Sequence, residues 1–99
     1  MATIYKGNDN PVKLILRQGS TPYNITGYTK IELVVDDTTT FDTDNESNYF
    51  ETSTSRTGLL TLKLGQSNLD VGSYTPEVIY YDSDNSNGIS FGTFNLEVK

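Results

Sequence analysis

The sequence predicts an all-β chain: a single antiparallel β-sandwich of seven or eight short strands, with no disulfide. Three observations predict it. Apolar residues recur with a period of two in residues 12–17, 30–35, 60–64 and 73–81, as in strands that bury one face. No segment shows helical spacing beyond a single turn near Gln66-Ser67-Asn68. Finally, Leu69-Asp70-Val71-Gly72-Ser73-Tyr74 reads as a tight corner built on Asp70, Gly72 and Tyr74. A small residue sits where the chain bends, and a buried phenol needs a polar partner. Tyr74 is therefore expected to be buried, with its hydroxyl bonded to backbone near Leu69 or Asp70.

Residues 3–6 form a short first strand, closed by Gly7-Asn8-Asp9-Asn10-Pro11. In the second, Val12, Leu14 and Leu16 face inward and alternate with Lys13, Ile15 and Arg17. Gln18-Gly19-Ser20-Thr21-Pro22 turns the chain, and residues 23–27 make an extended link. Ile31, Leu33 and Val35 then alternate with Lys30, Glu32 and Val34. Residues 36–57 are polar, with Phe41, Tyr49 and Phe50 as their only large apolar groups. They read as a hairpin of residues 38–42 and 48–53, turning through Asp44-Asn45-Glu46, whose polar strands specify register poorly. Leu60, Leu62 and Leu64 mark the next strand, which ends at Gly65.

After the corner, Tyr74, Pro76, Val78 and Tyr80 share one face, and residues 82–88 form a long turn. The last strand, 89–98, changes phase. Ile89 and Phe91 hold odd positions, while Phe94, Leu96 and Val98 hold even ones. A bulge at Gly92-Thr93 restores both sets to the core, because one extra residue flips side-chain parity.

At 99 residues, residues 1–99 form one domain with a single core and little surplus for an enclosed active site. The chain has no cysteine and no histidine. That removes disulfides, thiolate and imidazole metal sites, and every catalytic arrangement built on histidine. The net charge of −6 comes with seven scattered Lys and Arg, so no basic stripe offers itself to phosphates and no nucleic-acid partner is expected. With neither a basic-then-apolar leader nor a run able to span a bilayer, no membrane association is expected, and a soluble protein made in the cytosol is.

The corner, the Phe91-Gly92-Thr93 strand and the strand spacing together resemble an immunoglobulin-like domain. Pro76 stands where antibody domains carry cysteine, and residues 29–35 lack the tryptophan that packs on their disulfide. A narrower likeness lies in Val12-Lys13-Leu14-Ile15-Leu16-Arg17, Pro22-Tyr23-Asn24-Ile25-Thr26-Gly27-Tyr28 and Lys30-Ile31-Glu32-Leu33-Val34-Val35. These segments resemble the opening of small β-sandwich domains in tailed-phage virion proteins, such as the N-terminal domain of siphophage baseplate upper proteins. The resemblance implies a non-enzymatic structural role and a place in the virion, docked on capsid, neck or tail subunits.

Two acidic runs, Asp82-x-Asp84-x-Ser86-x-Gly88 and Asp42-x-Asp44-x-Glu46, space oxygens as calcium loops do. Glycine stands at the seventh position of the first and is absent from the second, so neither meets the helix-loop-helix template, and such residues make turns by themselves. No metal or other cofactor is expected. Asn24-Ile25-Thr26 and Asn45-Glu46-Ser47 match the glycosylation sequon, here without a secretory leader. Asp36, Asp37, Asp70 and Glu77 could form an acid–base pair, but nothing in the sequence brings two of them into an apolar cleft, so no catalysis is expected.

Parity sends Val34, Ile79 and Tyr81 outward; the immunoglobulin-like resemblance implies that their strands are neighbours, so that the three would form one apolar partner interface. The expected partners are other virion proteins, with self-association into a homo-oligomer left open. The alternative is a carbohydrate-binding or host-adhesion module that stacks a host glycan on tyrosines such as Tyr49 or Tyr81.

Overall fold

The computed structural model describes residues 2–99. It contains twelve strand segments: β1 Ala2–Ile4, β2 Val12–Ile15, β3 Arg17–Gln18, β4 Thr21–Pro22, β5 Lys30–Val34, β6 Thr40–Asp42, β7 Phe50–Thr52, β8 Leu59–Leu62, β9 Gly72–Tyr74, β10 Glu77–Asp82, β11 Asn85–Thr93 and β12 Leu96–Val98. Among the described residues the only helical turn is a 3-10 turn, Ser47–Tyr49, and not the one expected near Gln66-Ser67-Asn68. The alternation reads seven or eight strands because breaks at Leu16, at Thr75-Pro76 and at Phe94-Asn95 divide runs whose apolar rhythm continues across them.

The segments form an all-β, sandwich-like fold. On one side, β11-β10-β5-β6 form an antiparallel sheet, and β12 lies between β1 and β9. The β1–β12 pair is parallel, Ala2 opposite Leu96 and Ile4 opposite Val98. The other side is β2-β8-β7, and β3-β4 is a separate two-stranded hairpin. Val12, Leu60 and Leu62 from one side meet Ile31, Leu33, Val78, Tyr80, Leu96 and Val98 from the other in a single buried cluster. Burying such side chains contributes roughly 1.5–3 kcal/mol each relative to exposure, and that burial drives the fold. At one end the core is aromatic: Tyr23 stands edge-on to Tyr80 at 5.5 Å and packs on Phe91 at the same separation.

The phase change in the last strand is a bulge. Glu77 pairs with Thr93 but Ile79 pairs with Ser90, so one residue of β10 faces two of β11. Gly92 sits there at φ 84°, a left-handed conformation that suits glycine. Phe91 and Phe94 both pack against the core as a result.

Two readings need correction. Residues 38–53 do not pair as a hairpin: β6 pairs with β5, whereas β7 pairs with β8 on the other side. The Asp42 carboxylate accepts the backbone N–H groups of Asp44 and Asn45 at 3.0 and 2.8 Å, lifting the chain out of one sheet. Phe41 is buried, and Tyr49 and Phe50 pack against the same cluster. Buried anchors, rather than the polar strand residues, decide where each strand goes. The turn after β10 is also shorter than residues 82–88. Asp82 pairs with Asn85, and β11 begins at once. Asp82 Oδ1 accepts the Asp84 N–H and the Asn85 amide, at 3.0 and 2.8 Å, which closes a tight turn by local side-chain bonding.

Candidate functional site

The corner forms as the spacing predicts in one respect and departs from it in another. Tyr74 donates its hydroxyl proton to the Asp70 carbonyl at 2.7 Å. Its ring, however, is half-buried rather than buried, because β9 lies at the margin of its sheet, paired only with β12. Gly72 opens β9 and pairs with Val98. Val71, just before it, is the most exposed large apolar residue, at 68 %, and alternation gave no sign of it because it lies outside any strand.

The outer face of β10 and β5 carries the three residues expected to form an interface. Register sets their neighbours. Val34 lies between Glu77 and Thr40, Ile79 between Ser90 and Glu32, and Tyr81 opposite Lys30. All three are half-buried, while Ile31, Leu33, Val78 and Tyr80 on the opposite face are buried. Val34, Ile79 and Tyr81 thus take the face away from the core, the direction alternation predicts. Yet the three do not make one apolar patch, since Glu77 and Glu32 interleave with them. Parity identifies the face a residue takes; only register identifies its neighbour.

Tyr81 is the fixed centre of this face. Its hydroxyl donates to Glu32 Oε1 at 2.6 Å, and Lys30 Nζ stands 4.5 Å from the ring centroid. Lys30 also pairs with Glu32 at 3.5 Å. Gly88 lies against the ring: a β-carbon there would come within 2.8 Å of both Tyr81 Cε2 and Ile79 Cγ2. The hydrogen bond to the Glu32 carboxylate, more than burial, raises the Tyr81 phenol above its usual pKa. With Lys30 over the ring, Tyr81 is a poor platform for stacking a sugar. It is a well-positioned anchor, because a side chain already held in place loses little entropy on docking. Beside it, Glu77 Oε2 accepts a hydrogen bond from Ser90 Oγ at 2.7 Å, so the rim is polar and ordered.

The acidic runs serve as turn-formers. Besides Asp42 and Asp82, Asp36 Oδ1 accepts the N–H groups of Thr38 and Thr39 at 2.9 and 2.8 Å. The Thr38 N–H chiefly lowers the Asp36 pKa, and the Asn85 amide chiefly lowers that of Asp82. Asn24, in one sequon, is likewise a turn residue and accepts the Thr26 N–H at 3.0 Å. Among the described residues, no group of three or more Asp or Glu side chains is arranged to hold a metal ion. Asp36, Asp37 and Glu77 do line one open cleft of about 540 Å³ together with Tyr74, and Asp70 is not among its lining residues. No helix of the described residues is long and apolar enough to cross a membrane. No protein-family model matches the sequence, and no curated protein does.

Proposed function

We propose that this chain is a non-enzymatic structural protein of a tailed-phage particle, an immunoglobulin-like subunit that docks through the outer face of β5 and β10. Two things support the fold part of this reading. Joined across these breaks, β9/β10 and β11/β12 give a layer ordered β1-β12/β11-β10/β9-β5-β6 against β2-β8-β7, an arrangement in keeping with immunoglobulin-like sandwiches. The Tyr74 bond to Asp70 is the corner such domains use.

The observation that carries the docking part is the pre-set Tyr81. An aromatic anchor beside Ile79, pinned by Glu32 and Lys30 within a charged rim, matches the anatomy of protein interfaces, where aromatic residues at the centre carry much of the energy. Weak identical contacts are enough when copies are arrayed on a lattice, since effective concentration replaces individual affinity. Other virion proteins of capsid, neck or tail are the proposed partners, and the virion is the proposed location.

Mass spectrometry of particles purified from the phage that encodes the chain tests the reading. The chain should remain with intact particles through washing, in a fixed ratio to a major subunit. Finding it only in the cleared lysate contradicts the proposal.

A further inference from the structure

An open groove of about 510 Å³ runs beside the segment that carries the chain from β6 to β7. Phe41, 6 % exposed, is its most buried lining residue. Tyr49 stands edge-on to Phe41, ring centres 5.2 Å apart at 85°. Glu46 and Thr40 line the groove from the crossover side, and Gln66 and Asn68 from the loop after β8. Both walls are held by hydrogen bonds. The Asp36 turn fixes Thr38 and Thr39, the Glu46 N–H donates to the Asp42 carbonyl at 2.8 Å, and Gln66 Nε2 donates to the Gly7 carbonyl at 3.0 Å. The Glu46 carboxylate, the Asn68 amide and the Tyr49 hydroxyl make no side-chain hydrogen bond among the described residues.

We propose that this groove binds a neutral saccharide. The chemistry of its lining selects that class. A sugar ring presents a C–H face that packs on an aromatic side chain, and adjacent hydroxyls that both donate and accept. Tyr49 supplies the ring, the Glu46 carboxylate accepts, and the Asn68 amide does both. No Lys or Arg lines the groove, so nothing offsets the Glu46 charge, and acidic sugars and phosphate are repelled. The volume falls within the range of small-molecule sites. This site adjoins the docking face only at Thr40 and does not depend on the docking proposal.

The test is an amide chemical-shift titration of the isolated, isotope-labelled chain with cellobiose, lactose and diacetylchitobiose, and with glucuronate and inorganic phosphate as charged controls. At least one neutral disaccharide should shift Tyr49, Gln66 and Asn68 at saturation, while neither charged control does. Glu46→Gln and Asn68→Ala should each weaken binding severalfold, and Tyr49→Ala by about tenfold or more, the equivalent of 1.4 kcal/mol. Because Tyr49 packs on Phe41, Tyr49→Ala is scored only if its spectrum stays folded; the other two variants carry the test otherwise. The proposal is overturned if no neutral sugar shifts the groove, if a charged control shifts it equally, or if Glu46→Gln and Asn68→Ala bind as the parent does.

Discussion

The Tyr74 hydroxyl donates a 2.7 Å hydrogen bond to the Asp70 carbonyl and ties the start of β9 to the loop that precedes it. This bond uses the residues that the Asp-x-Gly-x-Tyr spacing singles out. Tyr74→Phe removes the donor and leaves the ring. Because the ring is half-buried, water can satisfy the freed carbonyl in part, and the expected loss is about 0.5–1.5 kcal/mol. Urea denaturation should show a lower midpoint with an unchanged slope. An unchanged midpoint would mean that the corner bond contributes nothing to stability.

Gly65 is buried, and a β-carbon on it would overlap the Asn8 carbonyl oxygen. Backbone cannot yield as a flexible side chain can. Gly65→Ala should therefore destabilise by about 1–3 kcal/mol or more, as overpacking does. Gly27 has nothing within 4 Å of its β-carbon position, so Gly27→Ala serves as the control and should change stability little. Equal melting temperatures for the two variants would contradict the close approach of residues 8 and 65.

Burial, aided by the nearby Asp82 carboxylate, pushes the Tyr80 phenol from 10 up to about 12. The folded state therefore holds this proton more tightly than the unfolded chain. Its stabilising effect is complete below about pH 10 and is lost as pH rises through about 12. Tyr80→Phe should flatten the alkaline limb of stability against pH in that window. A limb as steep as the parent's would assign alkaline unfolding to other groups.

Asp36 and Asp82 titrate below their usual 3.8 because turn N–H groups and the Asn85 amide favour the charged form. Their contribution is present above that value and declines as pH falls through the lowered folded values. Asp36→Asn with Asp82→Asn retains a side-chain acceptor for each turn but removes the titration. The double variant should lose less stability than the parent as pH falls below about 5. Parallel acid limbs for the two proteins would refute this assignment.

Strands with a buried face were legible in the sequence because alternation reports burial directly: Ile31, Leu33, Val78 and Tyr80 are all inside. The bulge was legible as well, since two apolar sets in opposite phase can share a core only if a residue is inserted. Residues 36–57 were not. Their polar strands carry few anchors, and pairing with β5 or β8 depends on where Phe41 and Phe50 bury rather than on local pattern. The docking face was half legible. Parity sent Val34, Ile79 and Tyr81 outward, but only register shows Glu32 beside Ile79 and Lys30 beside Tyr81. Tyr49 stood out in the sequence as a surface aromatic; its groove did not, because Gln66 and Asn68 reach it from a distant loop.

On the proposed function, Ile79 and Tyr81 serve docking rather than folding. Ile79→Lys combined with Tyr81→Ser tests it, scored in one preparation for denaturation midpoint and for incorporation into particles. The double variant loses the Glu32 bond and the packing around Gly88, and should destabilise the free domain by about 1–3 kcal/mol while leaving it folded. Its incorporation should nonetheless fall at least tenfold, whereas Lys13→Glu, exposed on β2, should incorporate as the parent does. A folded double variant that incorporates at the parent's level would contradict the account.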